Sequence, residues 1–243
     1  EQVAREINAA GGKAIALQAD VTDLASVRAM IGKAEQAFGP IDVLVNNAGN
    51  AGATPDPDAR KPFWETGPEV WNSFIGVNLY GVINCASACI PQMIERKGGR
   101  IVTIISDAGR AGEAGLEVYS GAKAGAAGFT RAVARSLGRH NITANCVAIA
   151  ATLTPAIEAR LKANPEMQKK MMEKYVIRRP GLPSDVANMV LFLAGLTAIP
   201  NDLIDAARMD GARSPIDRFL TVTWPMLGPT TMFVIVTTSI SAF

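Results

Sequence analysis

The chain has 243 residues, of which 49% are hydrophobic, and a formal net charge of +2. This length suits one α/β domain or two smaller units, and the apolar fraction is ample for a buried core. Because the basic residues form neither a broad positive field nor an arginine-rich arm, we expect no nucleic-acid partner.

The few cysteines and the single histidine limit the chemistry further. Cys85 and Cys89 are one helical turn apart in an apolar stretch, which favours buried reduced thiols and a cytoplasmic location over a disulfide framework. His140 is the only histidine, so a Ser-His-Asp triad would have to use it, and metal sites built on several imidazoles are excluded. We predict no metal site and interpret His140 as a surface residue before a strand.

The first half of the chain is predicted to alternate between helix and strand. Residues 1–10 have the pattern of an amphipathic helix, with Val3 and Ile7 on one face. Residues 13–20 carry an apolar run that predicts a buried strand, and residues 25–38 have helical periodicity. Residues 41–45 predict a second short strand after Gly39 and Pro40.

The second half continues the alternation. A helix is predicted from Trp71 toward Ile94, then a strand over residues 100–106, a helix over 119–138 and a strand over 142–147. Buried strands that alternate with helices predict an α/β fold with a doubly wound parallel sheet. In such sheets, ligands bind at the carboxyl ends of the strands.

Polar residues occupy those carboxyl ends. Asp20, Asn46, Asn47, Ser106 and Thr152 each lie at or just beyond the end of a predicted strand. The sequence therefore predicts one cleft at this edge of the sheet.

Tyr119 and Lys123 are four residues apart, so a helix places the phenol and the ammonium on one face. A free tyrosine titrates near pH ~10, and a neighbouring positive charge favours its phenolate. Ser106, upstream in the sequence, is a candidate to hydrogen-bond a carbonyl or alcohol oxygen while Tyr119 transfers the proton. The alternative is an ordinary solvated helix face, on which such pairs are common.

Four ordered motifs resemble those of the short-chain dehydrogenase/reductase family. They are Asn46-Asn47-Ala48-Gly49, Asn78 within Val77-Asn78-Leu79-Tyr80-Gly81, Ser106 within Ile105-Ser106-Asp107-Ala108-Gly109, and Tyr119 with Lys123. The resemblance covers about residues 1–193. It implies a Rossmann-like sheet and an oxidoreductase that interconverts an alcohol and a ketone with NAD or NADP.

The resemblance also implies roles for individual residues. Tyr119 would be the catalytic acid/base, Lys123 would lower its pKa and hold the nicotinamide ribose, Ser106 would orient the substrate, and Asn78 would position a water. The implied cofactor-binding residues are Asp20 and Val21 at the adenine, Asn47, Ala48 and Gly49 beneath the cofactor, Thr152 or Thr154 near the carboxamide, and Tyr119 with Lys123.

Two departures from the family pattern carry expectations of their own. Ile149-Ala150 stands where relatives usually carry Pro-Gly. The family's first strand, glycine-rich phosphate loop, first helix and second strand would precede Glu1, so the sequence does not tell NAD from NADP. We expect a sheet that is incomplete at its N-terminal end, with unpaired edges and residues 13–20 separated from 41–45, and weak cofactor binding by these residues alone.

From about residue 194 the sequence is similar to the cytoplasmic coupling loop of sugar-type ABC-transporter permeases. The segment that begins with Asp205 and ends with Gly211 would contact an ATPase subunit. Residues 219–243 carry no charge, which is typical of a membrane segment, although an apolar strand or helix that completes a soluble fold is the alternative. We therefore expect two units, residues 1–193 and residues 194–243, the second of them helical.

Three functional hypotheses follow from these observations. The first is the NAD(P)-dependent oxidoreductase, the second a membrane-associated transport component, and the third an inactive hybrid of two coding fragments joined near residues 190–195. A homo-oligomer and a small-molecule substrate are implied by the resemblance alone. The basic residues of segment 156–179, such as Lys169 and Lys170, fit either an acidic substrate or a solvated helix face.

Overall fold

A computed structural model of the chain describes residues 1–49, 58, 61–173, 177–195 and 234–237. The α-helices within these residues are α1 (Gln2–Ala9), α2 (Leu24–Phe38), α3 (Pro68–Ile75), α4 (Gly81–Glu95), α5 (Ala108–Ala111), α6 (Glu117–Leu137), α7 (Pro155–Ala163), α8 (Pro165–Glu173) and α9 (Pro183–Gly195). The strands are β1 (Val43–Asn46), β2 (Gly99–Ser106), β3 (Ile142–Ile149) and β4 (Val234–Thr237). A π-helical turn, Gly76–Tyr80, joins α3 to α4.

The four strands form one parallel sheet in the order β3-β2-β1-β4. The longest pairing runs from Gly99 opposite Ile142 to Ser106 opposite Ile149. The predicted α/β fold with a parallel, Rossmann-like sheet is therefore confirmed.

Helices cover both faces of this sheet. Leu44, Ile101 and Ile142 belong to a buried cluster that also contains residues of α2 and α4. The alternate residues Val45 and Val102 pack in a second cluster with residues of α9. Because successive strand residues point to opposite faces, this pattern buries β1 and β2 on both sides, as their apolar residues predict.

The two cysteines on α4 lie in the first of these clusters, and both are free thiols. Burial raises the pKa of Cys85 to about 11 and, with smaller electrostatic contributions, that of Cys89 to about 12. The prediction of buried, reduced thiols is confirmed.

The predicted strand over residues 13–20 is wrong. These residues follow α1 without strand structure, and their apolar side chains are not buried, with Ile15 45% exposed. Strands form by hydrogen-bonding to a neighbour, and no strand among the described residues pairs with this segment. Helix α1 is confirmed, but it likewise buries none of its residues, and Val3 is 64% exposed.

The other edge of the sheet also differs from expectation. We predict an unpaired edge on β1, yet β4 pairs with it in parallel, with Val43 opposite Val234. The prediction of a helical or membrane segment is therefore wrong for residues 234–237, because these residues form a strand of the sheet. The permease-like segment from Asp205 to Gly211 lies outside the described residues, and the division at residues 193 and 194 stays a prediction.

Within the described part of the chain, one continuous helical stretch, Pro68–Glu95, is long and apolar enough to cross a membrane. Its residues Cys85, Cys89 and Met93 are buried in the core of the sheet. A buried core helix passes the same test, so this stretch is weak evidence for a membrane segment.

Candidate active site

Ser106 and Tyr119 meet at the carboxyl end of β2. Ser106 is the last residue of that strand, and Tyr119 lies in the first turn of α6. The Ser106 side chain lies close enough to the Tyr119 hydroxyl to lower the pKa of the phenol. The Ser106 Oγ also accepts a hydrogen bond from the Ala108 backbone N–H at 3.2 Å, which leaves the serine proton free to be donated.

The environment of Tyr119 stabilises its neutral form. Burial raises the pKa of Tyr119, the nearby Ser106 side chain lowers it, and the negative charge of Glu113 raises it again, with a net rise. The Lys123 Nζ lies over the phenol ring, 5.9 Å from its centroid. The predicted lowering of the Tyr119 pKa by this ammonium stays a prediction.

Lys123 is buried on the sheet side of α6, with only 4% of its surface exposed. Its Nζ donates a hydrogen bond to the Ile104 carbonyl oxygen of β2 at 2.9 Å. Burial lowers the pKa of this lysine to about 8. The group is therefore largely charged at neutral pH, and two of its three N–H donors are available for other partners.

Asn78 and Gly49 complete the arrangement around the lysine. Asn78 is fully buried in the π-helical turn, and its Nδ2 donates to the Phe74 carbonyl oxygen at 2.9 Å. A Cβ atom placed on Gly49 would lie 2.7 Å from both the Asn78 Oδ1 and the Lys123 Nζ. The turn after β1 thus contacts both side chains, and the structure brings Asn78, Ser106, Tyr119 and Lys123 into one group.

Of the remaining predicted cofactor residues, Asp20 and Val21 lie beside the first turns of α4. The Asp20 Oδ1 accepts from the Thr22 N–H at 2.8 Å and from the Thr22 hydroxyl at 2.7 Å. The Val21 carbonyl accepts from the Asn84 Nδ2 at 2.9 Å, and its side chain is buried against Gly81. Asp20 therefore orders the turn before α2 and presents an exposed carboxylate.

Thr152 and Thr154 follow the carboxyl end of β3. Thr152 forms an isolated parallel bridge with Gly181, and Thr154 caps α7, with its hydroxyl accepting from the Ile157 N–H at 3.3 Å. No contact joins either threonine to the group around Tyr119 in the described residues. Asn47 and Ala48 lie in the turn between β1 and Gly49, with Ala48 buried.

The sequence reasoning misses a buried polar network beneath this group. The Thr130 hydroxyl of α6 lies 3.1 Å from the Thr103 hydroxyl of β2 and 2.8 Å from the Ala126 carbonyl oxygen, to which it donates. The Asn46 Nδ2 of β1 donates to the Thr103 Oγ1 at 3.4 Å. The available signal was spacing, because Thr130 lies seven residues after Lys123 and so shares its helix face.

A shallow cleft opens beside Tyr119. Its wall combines polar residues with the apolar residues Phe63, Val70, Trp71, Phe74 and Leu116. Within the cleft, Asp58 and Lys61 form an ion pair at 2.7 Å. A carbonyl compound that reaches Tyr119 through this cleft would therefore contact apolar and aromatic side chains.

Of the basic residues of segment 156–179, Lys174 lies outside the described residues, and Lys169, Lys170, Arg178 and Arg179 are not among the residues that line this cleft. Lys169 and Lys170 are exposed on α8, and Arg179 forms an ion pair with Asp185 at 2.7 Å. These observations favour the solvated helix face over a binding site for an acidic substrate.

The group around Lys123 fits one half of a nicotinamide cofactor. The buried ammonium with free donors suits ribose hydroxyls, and Gly49 leaves its backbone accessible beside it. For the pyrophosphate, no glycine-rich turn between a strand and a helix is present in the part of the chain that the structure describes. The same residues contain no cluster of three or more metal-ligating side chains.

Comparisons with known proteins agree with this arrangement. A sequence profile of the family described as "Enoyl-(Acyl carrier protein) reductase" matches residues 1–198. The 3-oxoacyl-[acyl-carrier-protein] reductase FabG of Staphylococcus aureus (strain Mu50) is 37% identical over 197 residues, which are 80% of this chain and 75% of that protein. The chain belongs to the short-chain dehydrogenase/reductase family.

Two solved structures share the fold. A 7α-hydroxysteroid dehydrogenase in complex with NADH and 7-oxo glycochenodeoxycholic acid is 33% identical, with a TM-score of 0.71 over 79% of this chain and 72% of that chain. A gluconate 5-dehydrogenase from Burkholderia cenocepacia J2315 in complex with NADP and tartrate is 28% identical, with a TM-score of 0.70 over 79% and 72%. The predicted family, the enzyme class and a cofactor that is NAD or NADP are thereby confirmed, whereas the comparisons do not show the permease resemblance.

Proposed function

We propose that the chain is an oxidoreductase that interconverts an alcohol and a ketone with NAD or NADP, through proton transfer at Tyr119. The observation that carries this proposal is the convergence of two side chains on Tyr119, Ser106 near its hydroxyl and the buried Lys123 ammonium 5.9 Å from its ring centroid. Family membership supplies the reaction class, and these three residues supply the acid-base group.

In ketone reduction, the substrate oxygen receives a hydrogen bond from Ser106 and a proton from the Tyr119 hydroxyl. The serine is suited to this role because its own Oγ is already held by the Ala108 N–H. The raised pKa of Tyr119 keeps the phenol protonated at neutral pH, which is the form that an acid needs. A bound nicotinamide cofactor supplies or accepts the hydride.

Lys123 and Asn78 support the proton transfer. When Tyr119 gives up its proton, the nearby ammonium stabilises the phenolate and its own pKa rises in response. The Asn78 amide faces the same region as the ammonium and is suited to hold a water that replaces the lost proton. Lys123 also has the free donors to hold the nicotinamide ribose.

The substrate class is a secondary alcohol or ketone with an apolar flank. The apolar and aromatic side chains of the cleft beside Tyr119 support this assignment. The names of the relatives refer to an acyl group on a carrier protein, a steroid and gluconate. These substrates differ widely, which supports a shared reaction at a carbonyl group. We infer that the cleft selects the remainder of the substrate.

We propose that these residues alone bind the cofactor weakly. The ribose end has partners at Lys123 and Gly49, whereas the described residues supply no turn of backbone N–H groups for the pyrophosphate. Titrating NADH and NADPH against protein fluorescence measures the dissociation constants. Binding in the low micromolar range would contradict this part of the proposal.

The catalytic role is tested with Tyr119→Phe, which keeps the ring and removes the hydroxyl. At saturating cofactor, oxidation of reduced nicotinamide is followed with a panel of ketones. We expect kcat/KM to fall by roughly 10² to 10⁴, the usual contribution of a positioned acid. The matched control is Tyr80→Phe, which removes a hydroxyl from an exposed tyrosine and should leave the rate unchanged.

A Tyr119→Phe protein as active as the unmodified chain would refute the mechanism. Two further expectations stay predictions of the same proposal, namely a cytoplasmic location and a homo-oligomer formed through α4 and α6. The transport and hybrid hypotheses concern residues 194–243 and a junction near residues 190–195, and most of that segment lies outside the described residues.

A further inference from the structure

The Lys123 side chain is enclosed at its tip by a glycine from another part of the chain. A Cβ atom on Gly49 would come within 2.7 Å of the Lys123 Nζ and within 3.6 Å of its Cε. The same Cβ would lie 2.7 Å from the Asn78 Oδ1, so the two polar atoms are at most twice that distance apart. A methyl group on Gly49 would therefore occupy the space between the Lys123 and Asn78 side chains.

Neither neighbour can give way without cost. Asn78 is fully buried, and its Nδ2 is tied to the Phe74 carbonyl. Lys123 is almost fully buried, and its Nζ is tied to the Ile104 carbonyl. A methyl group on Gly49 would therefore displace the Lys123 ammonium or the Asn78 amide from its present position, because real Cβ atoms do not approach other heavy atoms this closely.

The base of the same lysine meets a second glycine. A Cβ atom on Gly109, in α5, would lie 2.8 Å from the Lys123 Cβ and 3.0 Å from the Ala124 backbone N. Here the contact is with the backbone of α6, which cannot rotate away as a side chain does. Gly49 and Gly109 therefore bound the lysine at opposite ends.

We infer that Gly49 and Gly109 are positioning residues for Lys123, Gly49 by setting where the ammonium lies relative to Asn78 and Gly109 by setting how closely α6 approaches the end of β2. This inference gives a physical role to two glycines of the family-like motifs, and it rests on the proposed function for its catalytic meaning. The inference concerns the position of the Lys123 side chain, so it can be tested without measuring enzyme activity.

The first measurement is the titration of the Lys123 side chain by NMR in protein labelled at lysine Cε and Nζ. The Lys123 signal is assigned by its loss in Lys123→Ala. We expect Gly49→Ala to move the titration midpoint by about one pH unit, because the ammonium leaves its present surroundings. The control is Gly121→Ala, two residues before Lys123 on α6, whose Cβ would meet nothing within 4 Å and should leave the midpoint in place.

The second measurement is a double-mutant comparison of unfolding in urea. Lys123→Ala removes the lysine atoms that Gly49→Ala would strike and leaves the Asn78 Oδ1 in place, and it keeps the Cβ and backbone that Gly109→Ala would strike. We therefore expect the destabilisation by Gly49→Ala to shrink in the Lys123→Ala background, and that by Gly109→Ala to persist there. Gly49→Ala alone could be too unstable to purify. In that case, recovery of folded protein when Gly49→Ala is combined with Lys123→Ala would equally show that the two positions are coupled.

An unchanged Lys123 midpoint in Gly49→Ala overturns the inference, as does equal destabilisation of Gly49→Ala in both backgrounds. These outcomes do not depend on activity. A protein that fails the Tyr119→Phe test yet shows the lysine shift would refute the proposed function and leave the positioning role standing.

Discussion

Replacing the buried Lys123 by methionine should change how the stability of the protein depends on pH. Burial lowers the pKa of this lysine from 10.5 to about 8. In the folded protein the lysine therefore loses its proton near pH 8, whereas in the unfolded chain it keeps the proton until about pH 10.5. Between these values the unfolded state binds more protons, so the free energy of unfolding rises with pH.

The size of this rise follows from the two pKa values. One pKa unit corresponds to 1.36 kcal/mol, so the lysine contributes about 3 kcal/mol in total, most of it gained by about pH 10. Below pH 8 the folded protein carries the full cost of a buried charge. Lys123→Met removes that cost but leaves the Ile104 carbonyl without this donor, which costs about 1–3 kcal/mol. Near pH 7 the two proteins should therefore differ little.

The assay is urea unfolding of both proteins at several pH values from about 7 to about 10.5. Both carry Tyr119→Phe, so that the coupled titration of the phenol does not enter the comparison. Other titrating groups are common to the two proteins and cancel in the difference. We expect the protein with Lys123 to gain about 3 kcal/mol relative to Lys123→Met across this range. If the free energies of unfolding of the two proteins changed in parallel with pH, burial would not destabilise the Lys123 ammonium, and the reasoning would be refuted.

Two further predictions concern the supports of the site. Thr130→Val removes the hydroxyl that joins Thr103 to α6 and should lower the free energy of unfolding by about 1–3 kcal/mol, whereas Thr130→Ser should cost less because it keeps the hydroxyl. Equal losses in the two variants would argue against the hydrogen bond. Asp23 caps α2 by accepting from two backbone N–H groups, so Asp23→Ala should cost about 1 kcal/mol in thermal or urea unfolding. Asp23→Asn keeps an acceptor, and a loss as large as that of alanine would contradict the capping role.

Local patterns in the sequence predict most of the sheet. Residues 100–106 and 142–147 are rich in apolar residues, and they form β2 and β3, which pair with each other along their full length. The same reasoning fails for residues 13–20, whose apolar run is similar. A strand needs a partner as well as a pattern, and the described residues provide no partner there.

The sequence also predicted which residues lie together around Tyr119, but it did not predict the direction in which the Tyr119 pKa is shifted. Tyr119 and Lys123 lie on one helix face because their spacing dictates it. The sign of the Tyr119 pKa shift depends on burial, on Glu113 and on where the ammonium lies relative to the hydroxyl. None of these is encoded in the four-residue spacing.

The sequence by itself determined the α/β alternation, the approximate positions of β1, β2 and β3, and the shared helix face of Tyr119 and Lys123, because these depend on periodicity and short-range geometry. Tertiary structure alone decided that Gly49 from the turn after β1 and Gly109 from α5 both close on Lys123. It also decided that β4 pairs with β1. Contacts of this kind join residues far apart in the chain, and they depend on distances of a few tenths of an ångström that only the packed fold sets.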